Sequence, residues 1–238
     1  MNTILFDLDG TLLPLNQEDF VDTYFKLLKS RMEQAGYDAK AVLQGVYAGT
    51  QAMIENEGIM TNEEMFFHIF QRFVPKDKLQ ALKREFMQFY QKNFEVLKLH
   101  TKPTPYAAKA VKELKRKGYM LVVATNPLFP IEAIEKRMEW AELDKNDFTY
   151  ITSYENTCYC KPNLNYYKRI LWGLDKLPED CLMVGNDATE DLCAAKLGID
   201  VFMLKECLIN TKNIDLSDYK KGTWETFSEY ISDFPTLE

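Results

Sequence analysis

Apolar residues recur along this chain with two different periods, and the change between them divides it. From Gln17 to about Phe94 they return every three to four positions, the spacing of amphipathic helices. The pattern predicts a helix from Gln17 to Ala35, with Phe20, Tyr24, Leu27 and Leu28 on one face and Gly36 as its stop. A second is expected over about Lys40 to Glu55. A third follows Thr61-Asn62-Glu63-Glu64, which reads as a capping box ahead of Phe66, Phe67, Phe70 and Phe73. Pro75 and Asp77 open a fourth, carrying Leu79, Leu82, Phe86, Phe89, Tyr90 and Phe94. No strand pattern interrupts this block, so it can form a small bundle of its own.

Outside the block the apolar residues come in short, dense runs: Ile4 to Phe6, Met120 to Ala124, a weaker Phe148 to Ser153, Cys181 to Val184, and Val201 to Leu204. Such runs read as strands buried on both faces. Between them lie helical patterns at Tyr106–Lys117, Ile131–Trp140 and Leu164–Leu174, and one from near Ala188 that stops at Gly198. Pro103 and Pro105 mark the join between the two regions, Thr104-Pro105 being a good helix start. A last helix is expected from Thr223 to about Asp233, with Trp224, Phe227 and Ile231 packing on the sheet. Strands alternating with helices predict an α/β fold, a doubly wound parallel sheet. The expected division is a core of residues 1–14 and 101–238 and an all-helical domain of residues 15–100.

Composition narrows the partners. A net charge of -7 with no block of Lys or Arg argues against nucleic acid and against an anionic membrane surface. No apolar run approaches a membrane span, and the N-terminus lacks a secretory pattern, so a cytoplasmic protein is expected. Five scattered cysteines, with Cys158 and Cys160 unmatched by a second pair, fit free thiols better than zinc or disulfides. His68 reads as a structural residue of an apolar helix, and His100 as a hinge between the two regions.

The polar signals collect just past the strand runs. Asp7 and Asp9 follow the first, Thr125 and Asn126 the second, Lys161 the third, and Asn186, Asp187 and Asp191 the fourth. Ligands of open parallel sheets bind at that edge. Along an extended chain Asp7 and Asp9 point the same way, and two such acids are tolerable beside a divalent cation. Gly10 lets the chain turn and a ligand approach backbone amides. Each signal has a plainer reading. Asp-Gly is a common turn, Thr125 can cap a helix, Lys161 can be a solvated loop residue, and Asp191 suits the first turn of a helix. A helix starting near Ala188 puts Asp187 and Asp191 on neighbouring turns, so that both could face a metal.

The ordered set Asp7-x-Asp9-Gly10-Thr11, Thr125-Asn126, Lys161-Pro162 and Gly185-Asn186-Asp187-x-x-x-Asp191 resembles the haloacid dehalogenase-like superfamily. The resemblance implies a Rossmann-like core with a mobile alpha-helical cap, of the type inserted after the first strand, and magnesium-dependent phosphoryl transfer. It implies that Asp7 attacks phosphorus and that Asp9 protonates the leaving alcohol. Gly10, Thr125, Asn126 and Lys161 are expected to bind the phosphoryl group. Asp7, Asp9 through its carbonyl, Asp187 and Asp191 are the expected metal ligands, although Asn186 stands where some relatives carry an acid. The acid at Asp9 favours a phosphate ester, since a halide leaves unprotonated. The expected activity is therefore hydrolysis of a small soluble phosphomonoester by a monomer or weak dimer. The alternatives are a phosphomutase on the same core or a catalytically idle phosphate-binding protein. A receiver domain is too short to match and lacks the helical block.

Overall fold

The strands of the computed structural model, which describes residues 1–237, run parallel in one six-stranded sheet of order β3-β2-β1-β4-β5-β6. They are β1 (Thr3–Phe6), β2 (Met120–Val123), β3 (Tyr150–Ile151), β4 (Cys181–Gly185), β5 (Asp200–Leu204) and β6 (Lys220–Gly222). Phe6 lies level with Val123 of β2 and Val184 of β4, so the residues following these three strands emerge side by side. The strand order reverses between β1 and β4, the place where doubly wound sheets open a crevice.

Alternation along the strands serves two cores. Ile4, Phe6, Leu121, Val123, Leu182 and Val184 face one side, while Leu5, Val122 and Met183 face the other. All nine are at most 1% exposed, and burying each such side chain is worth about 1.5–3 kcal/mol. The first face is covered by α5 (Pro105–Arg116), α6 (Ile131–Trp140) and α8 (Trp224–Ser232). The second is covered by α7 (Leu164–Gly173) and a 3₁₀ helix, Leu192–Leu197.

Between β1 and β2 the chain builds α1 (Gln17–Gln34), α2 (Ala39–Ile54), α3 (Asn62–Phe70) and α4 (Leu79–Lys92), followed by a 3₁₀ segment, Phe94–His100. Caps set the boundaries. Asn16, Asp38 and Thr61 each accept an amide of the first turn, and Thr61 with Glu64 forms the expected capping box. The aromatic stripes interlock: the Tyr24 ring meets Phe89 and Phe129 edge-on, each at 5.5 Å, and Phe94 stacks on Trp140 of α6 at 5.4 Å. The start of α3 is bound to the sheet's loops by polar contacts. Asn62, fully buried, donates from its side chain to the Pro127 carbonyl and to the Cys160 sulfur, each at 3.3 Å. The Asn62 and Glu63 amides donate to the Thr157 and Tyr154 carbonyls at 2.8 Å.

Several expectations need correction. β3 keeps only two residues of the expected Phe148 to Ser153, because it is an edge strand paired with β2 alone. The opposite edge, β6, is a Lys-Lys-Gly segment with no apolar signal; charged edge strands resist pairing with other chains. No α-helix begins at Ala188; turns lead directly to the 3₁₀ helix. His68 is exposed beside Arg72 rather than packed in the core, and Phe73 lies beyond α3, 39% exposed. His100 sits at the join as expected, its ring 3.0 Å from the Thr23 hydroxyl.

Candidate active site

Asp7 extends the ladder of β1, its amide donating to the Val184 carbonyl at 2.9 Å. The chain then turns sharply at Gly10, whose φ of +83° and close approach to the Asn186 side chain leave no room for a Cβ. Thr11 donates to the Asn186 side-chain oxygen at 2.8 Å, tying the loop after β1 to the loop after β4.

That second loop is organised by Asp191. One oxygen of its buried carboxylate accepts the amides of Asn186 and Asp187 at 3.0 and 2.9 Å, and the other accepts Lys161 Nζ at 2.7 Å. The carboxylate lies where a side chain on Gly185 would stand, which explains the glycine that ends β4. Asp191 was expected to face a metal beside Asp187, on a helix. That helix is absent; Asp191 borders the same cavity as Asp187, and its oxygens hold the amides of the Asp187 loop and the Lys161 ammonium. Asp187 itself faces outward, one oxygen accepting the amides of Thr189 and Glu190 at 2.6 and 2.9 Å.

Lys161 is fully buried between Asp191 and Asp7, 2.9 Å from Asp7 Oδ1. Burial alone would lower its pKa, but the two carboxylates overcome this and hold it well above its ordinary value. Burial pushes the Asp7 carboxyl upward and Asp191 up to about 6, while Lys161 pulls both back. The ammonium group sits behind Asp7 rather than on the cavity wall. Asn126 fixes the Lys161 backbone, accepting its amide at 3.2 Å, and donates to Glu190 at 2.9 Å. The Thr125 carbonyl is held by the hydroxyls of Thr152 and Tyr166, each at 2.8 Å, while its own hydroxyl bonds to no other side chain among the described residues.

These groups meet in one cavity of about 190 Å³, whose wall includes Asp7, Asp9, Thr125, Asn126, Asp187 and Glu190. The predicted residues from the loops after β1, β2 and β4 are therefore neighbours. Gly10 borders an adjoining cleft with Asp9 and Asn186. Among the described residues no three His, Cys, Asp or Glu side chains converge as a ready-made ion cage.

Two residues here went unread in the sequence. Arg137 of α6, 1% exposed, forms an ion pair with Asp9 and stacks on the Phe129 ring at 4.6 Å. Its signal was a charge inside the buried stripe Ala133, Ile134, Met138. Burial pushes Asp9 upward against the pull of Arg137 and Lys161, and Asp9 Oδ1 is buried without a hydrogen-bond partner. Glu190 stood unremarked inside the last motif; burial pushes its carboxyl up to about 7.

Comparison with known proteins gives the family and the fold. Residues 1–198 match the family model described as haloacid dehalogenase-like hydrolase. The Pyrophosphatase PpaX of Bacillus cereus is 25% identical over 187 residues, covering 79% of this chain and 75% of that protein. Solved structures share the fold at low identity. A HAD phosphatase from Thermococcus onnurineus superposes with a TM-score of 0.61 at 16% identity, covering 100% of both chains. A predicted phosphoglycolate phosphatase from Haemophilus somnus gives 0.58 at 17%, covering 97% of each. By the match over residues 1–198, the chain belongs to the haloacid dehalogenase-like hydrolases.

Proposed function

We propose that this hydrolase is a magnesium-dependent phosphatase that cleaves a small soluble phosphomonoester through an aspartyl-phosphate on Asp7. The observation that carries the reading is Asp9, a second acid on the same cavity wall as Asp7 with its carboxyl pushed upward by burial. An alkoxide needs a proton as it leaves, and burial shifts this acid toward the protonated form that can give one.

In this mechanism an Asp7 oxygen attacks phosphorus and the ester P–O bond breaks. Asp9 gives its proton to the departing oxygen. Water then attacks the phosphorus, Asp9 takes a proton from it, and the bond to Asp7 breaks, releasing phosphate and the free carboxylate. The Thr125 hydroxyl holds a phosphoryl oxygen, while the Gly10 and Thr11 amides, already donating to the Leu13 and Leu8 carbonyls, shape the turn rather than bind, and Lys161 orients Asp7 from behind. Arg137 fixes the side chain of Asp9.

The donor set suits a hard divalent ion. The Asp7 and Asp187 carboxylates and the Asp9 carbonyl offer only oxygens, and magnesium is commonly held by one or two carboxylates with several waters. When bound, the ion neutralises charge developing on the phosphoryl oxygens. Asp191 serves as brace rather than ligand in this reading. The helices of residues 15–100 act as a cap over a core of residues 1–14 and 101–238, supported by the wall that Gln17 and Val21 of α1 contribute to the cavity. No helix among the described residues is long and apolar enough to cross a membrane.

The test is phosphate release from benzyl phosphate and a broad set of phosphomonoesters with magnesium. Continuous release that disappears in Asp7→Asn is expected. A long-lived phosphoenzyme in mass spectra, with no net phosphate release, would instead indicate a phosphomutase.

A further inference from the structure

A second cavity, of about 180 Å³, adjoins the acidic one inside the helical block. Phe20, Tyr24, Phe66, Phe86 and Tyr90 form much of its wall, and among the described residues no charged side chain borders it. Val21, Leu128 and Phe129 border both cavities. Leu128 and Phe129 follow Thr125 and Asn126 in the same loop, so the shared partition stands beside the hydroxyl assigned to a phosphoryl oxygen. The Tyr24 and Tyr90 hydroxyls, 3.0 Å apart, bond to each other, and burial keeps both phenols neutral.

Cations are arranged to the same effect. Lys161 is held by Asp7 and Asp191, and Arg137 by Asp9, and neither borders either cavity. Arg137 lies behind Phe129, stacked on its outer face at 4.6 Å, so a leaving group carrying a second phosphate or a carboxylate would enter an apolar chamber with no counter-ion on its wall, at a cost of several kcal/mol. An apolar cavity of about 150 Å³ accepts benzene, so this one has room for a single ring. Its walls already pack edge-on, the geometry that aromatic rings prefer.

The geometry points to a substrate whose leaving group is an uncharged single aromatic ring, seated in the chamber bounded by Phe20, Tyr24, Phe66, Phe86, Tyr90 and Phe129 while its phosphoryl group faces Asp7. This deepens the proposed phosphatase reading and rests on it. It also sets the chain apart from what the names of its relatives suggest, since pyrophosphate and phosphoglycolate each bring a second anion.

The experiment compares kcat/KM for benzyl phosphate, ethyl phosphate, phosphoglycolate and pyrophosphate on the full chain with magnesium. Benzyl and ethyl alcohols leave with similar ease, so their ratio reports the ring. Burial of a phenyl group predicts about 10- to 100-fold in favour of benzyl phosphate. Val46→Phe, which fills the chamber from α2, should bring the ratio close to one. Phe86→Leu, which enlarges it, should raise kcat/KM for a naphthylmethyl ester relative to benzyl. Binding of benzyl alcohol to magnesium-free protein, followed by ligand-observed NMR, should be present in wild type and lost in Val46→Phe. Equal use of ethyl and benzyl esters, or preference for phosphoglycolate, overturns the inference while leaving the phosphatase reading intact; preference for pyrophosphate overturns the inference and the phosphomonoester part of that reading. Ring binding without hydrolysis of any ester supports the chamber and overturns the phosphatase reading. Absence of both overturns both.

Discussion

Replacing Lys161 by methionine removes the one cation between two buried carboxylates while nearly keeping the volume. At an effective dielectric of about 20, attraction across 2.7 Å to Asp191 and 2.9 Å to Asp7 is worth about 6 kcal/mol each. Desolvation of the three groups offsets most of this. What the substitution leaves is two carboxylates without their partner, and breaking a buried ion pair from one side costs about 3–5 kcal/mol. In a chain of this length that lowers the melting temperature by roughly 10 °C. The assay is urea unfolding followed by circular dichroism at pH 7, with Asp191→Asn and the double variant completing a cycle. The double variant should be more stable than Lys161→Met alone by about 1–3 kcal/mol, because the amide oxygen still accepts the amides of Asn186 and Asp187 while one unpaired charge is gone. Activity should be lost in both. A loss below about 1 kcal/mol in Lys161→Met, or strict additivity in the cycle, would refute the claim that this triad is a coupled brace.

Two further outcomes follow from the acids and thiols. Glu190 is held at about 7 when folded against an ordinary 4.5, so between those values the native state binds more protons than the unfolded chain. Its contribution to stability is complete below about pH 4.5 and lost as pH rises through 7. In EDTA, Glu190→Gln should therefore gain on the order of 2 kcal/mol over wild type between pH 4.5 and 8, and parallel stability curves would exclude this account. Burial holds the thiols of Cys160, Cys181 and Cys193 at about 12, 11 and 11 and raises Cys207 as well, so iodoacetamide at pH 8 should label the half-buried Cys158 of the native protein first, Cys207 more slowly, and spare those three. Mass mapping of the labelled peptides decides it.

The parts of the fold that could be read from sequence are those where a local pattern meets a local constraint. Ile4 to Phe6 and Cys181 to Val184 are central strands buried on both faces, so an unbroken apolar run sufficed. The capping box at Thr61 announced α3. Edges were read poorly, because β3 and β6 are fixed by a neighbour's ladder more than by their own residues. In the site, the motif residues after β1, β2 and β4 met on one cavity wall, since a parallel sheet delivers strand ends to one side. Arg137 escaped notice, and which aromatics of the helical block line a cleft rather than its core stayed open, for a common reason. Each depends on which helix face meets which loop across more than a hundred residues of chain, and periodicity identifies a face without naming its partner.

Asn62 has a mechanical consequence. Its side chain grips the carbonyl of Pro127, two residues past Thr125, and the sulfur of Cys160, the residue before Lys161. A lift of α3 would tug on both loops, those that carry Thr125 and Lys161 beside Asp7. If the helices act as the proposed cap, access and readiness are geared together: a gate that swings loosens its own lock, and Asp7 is braced tightly only while the door is shut.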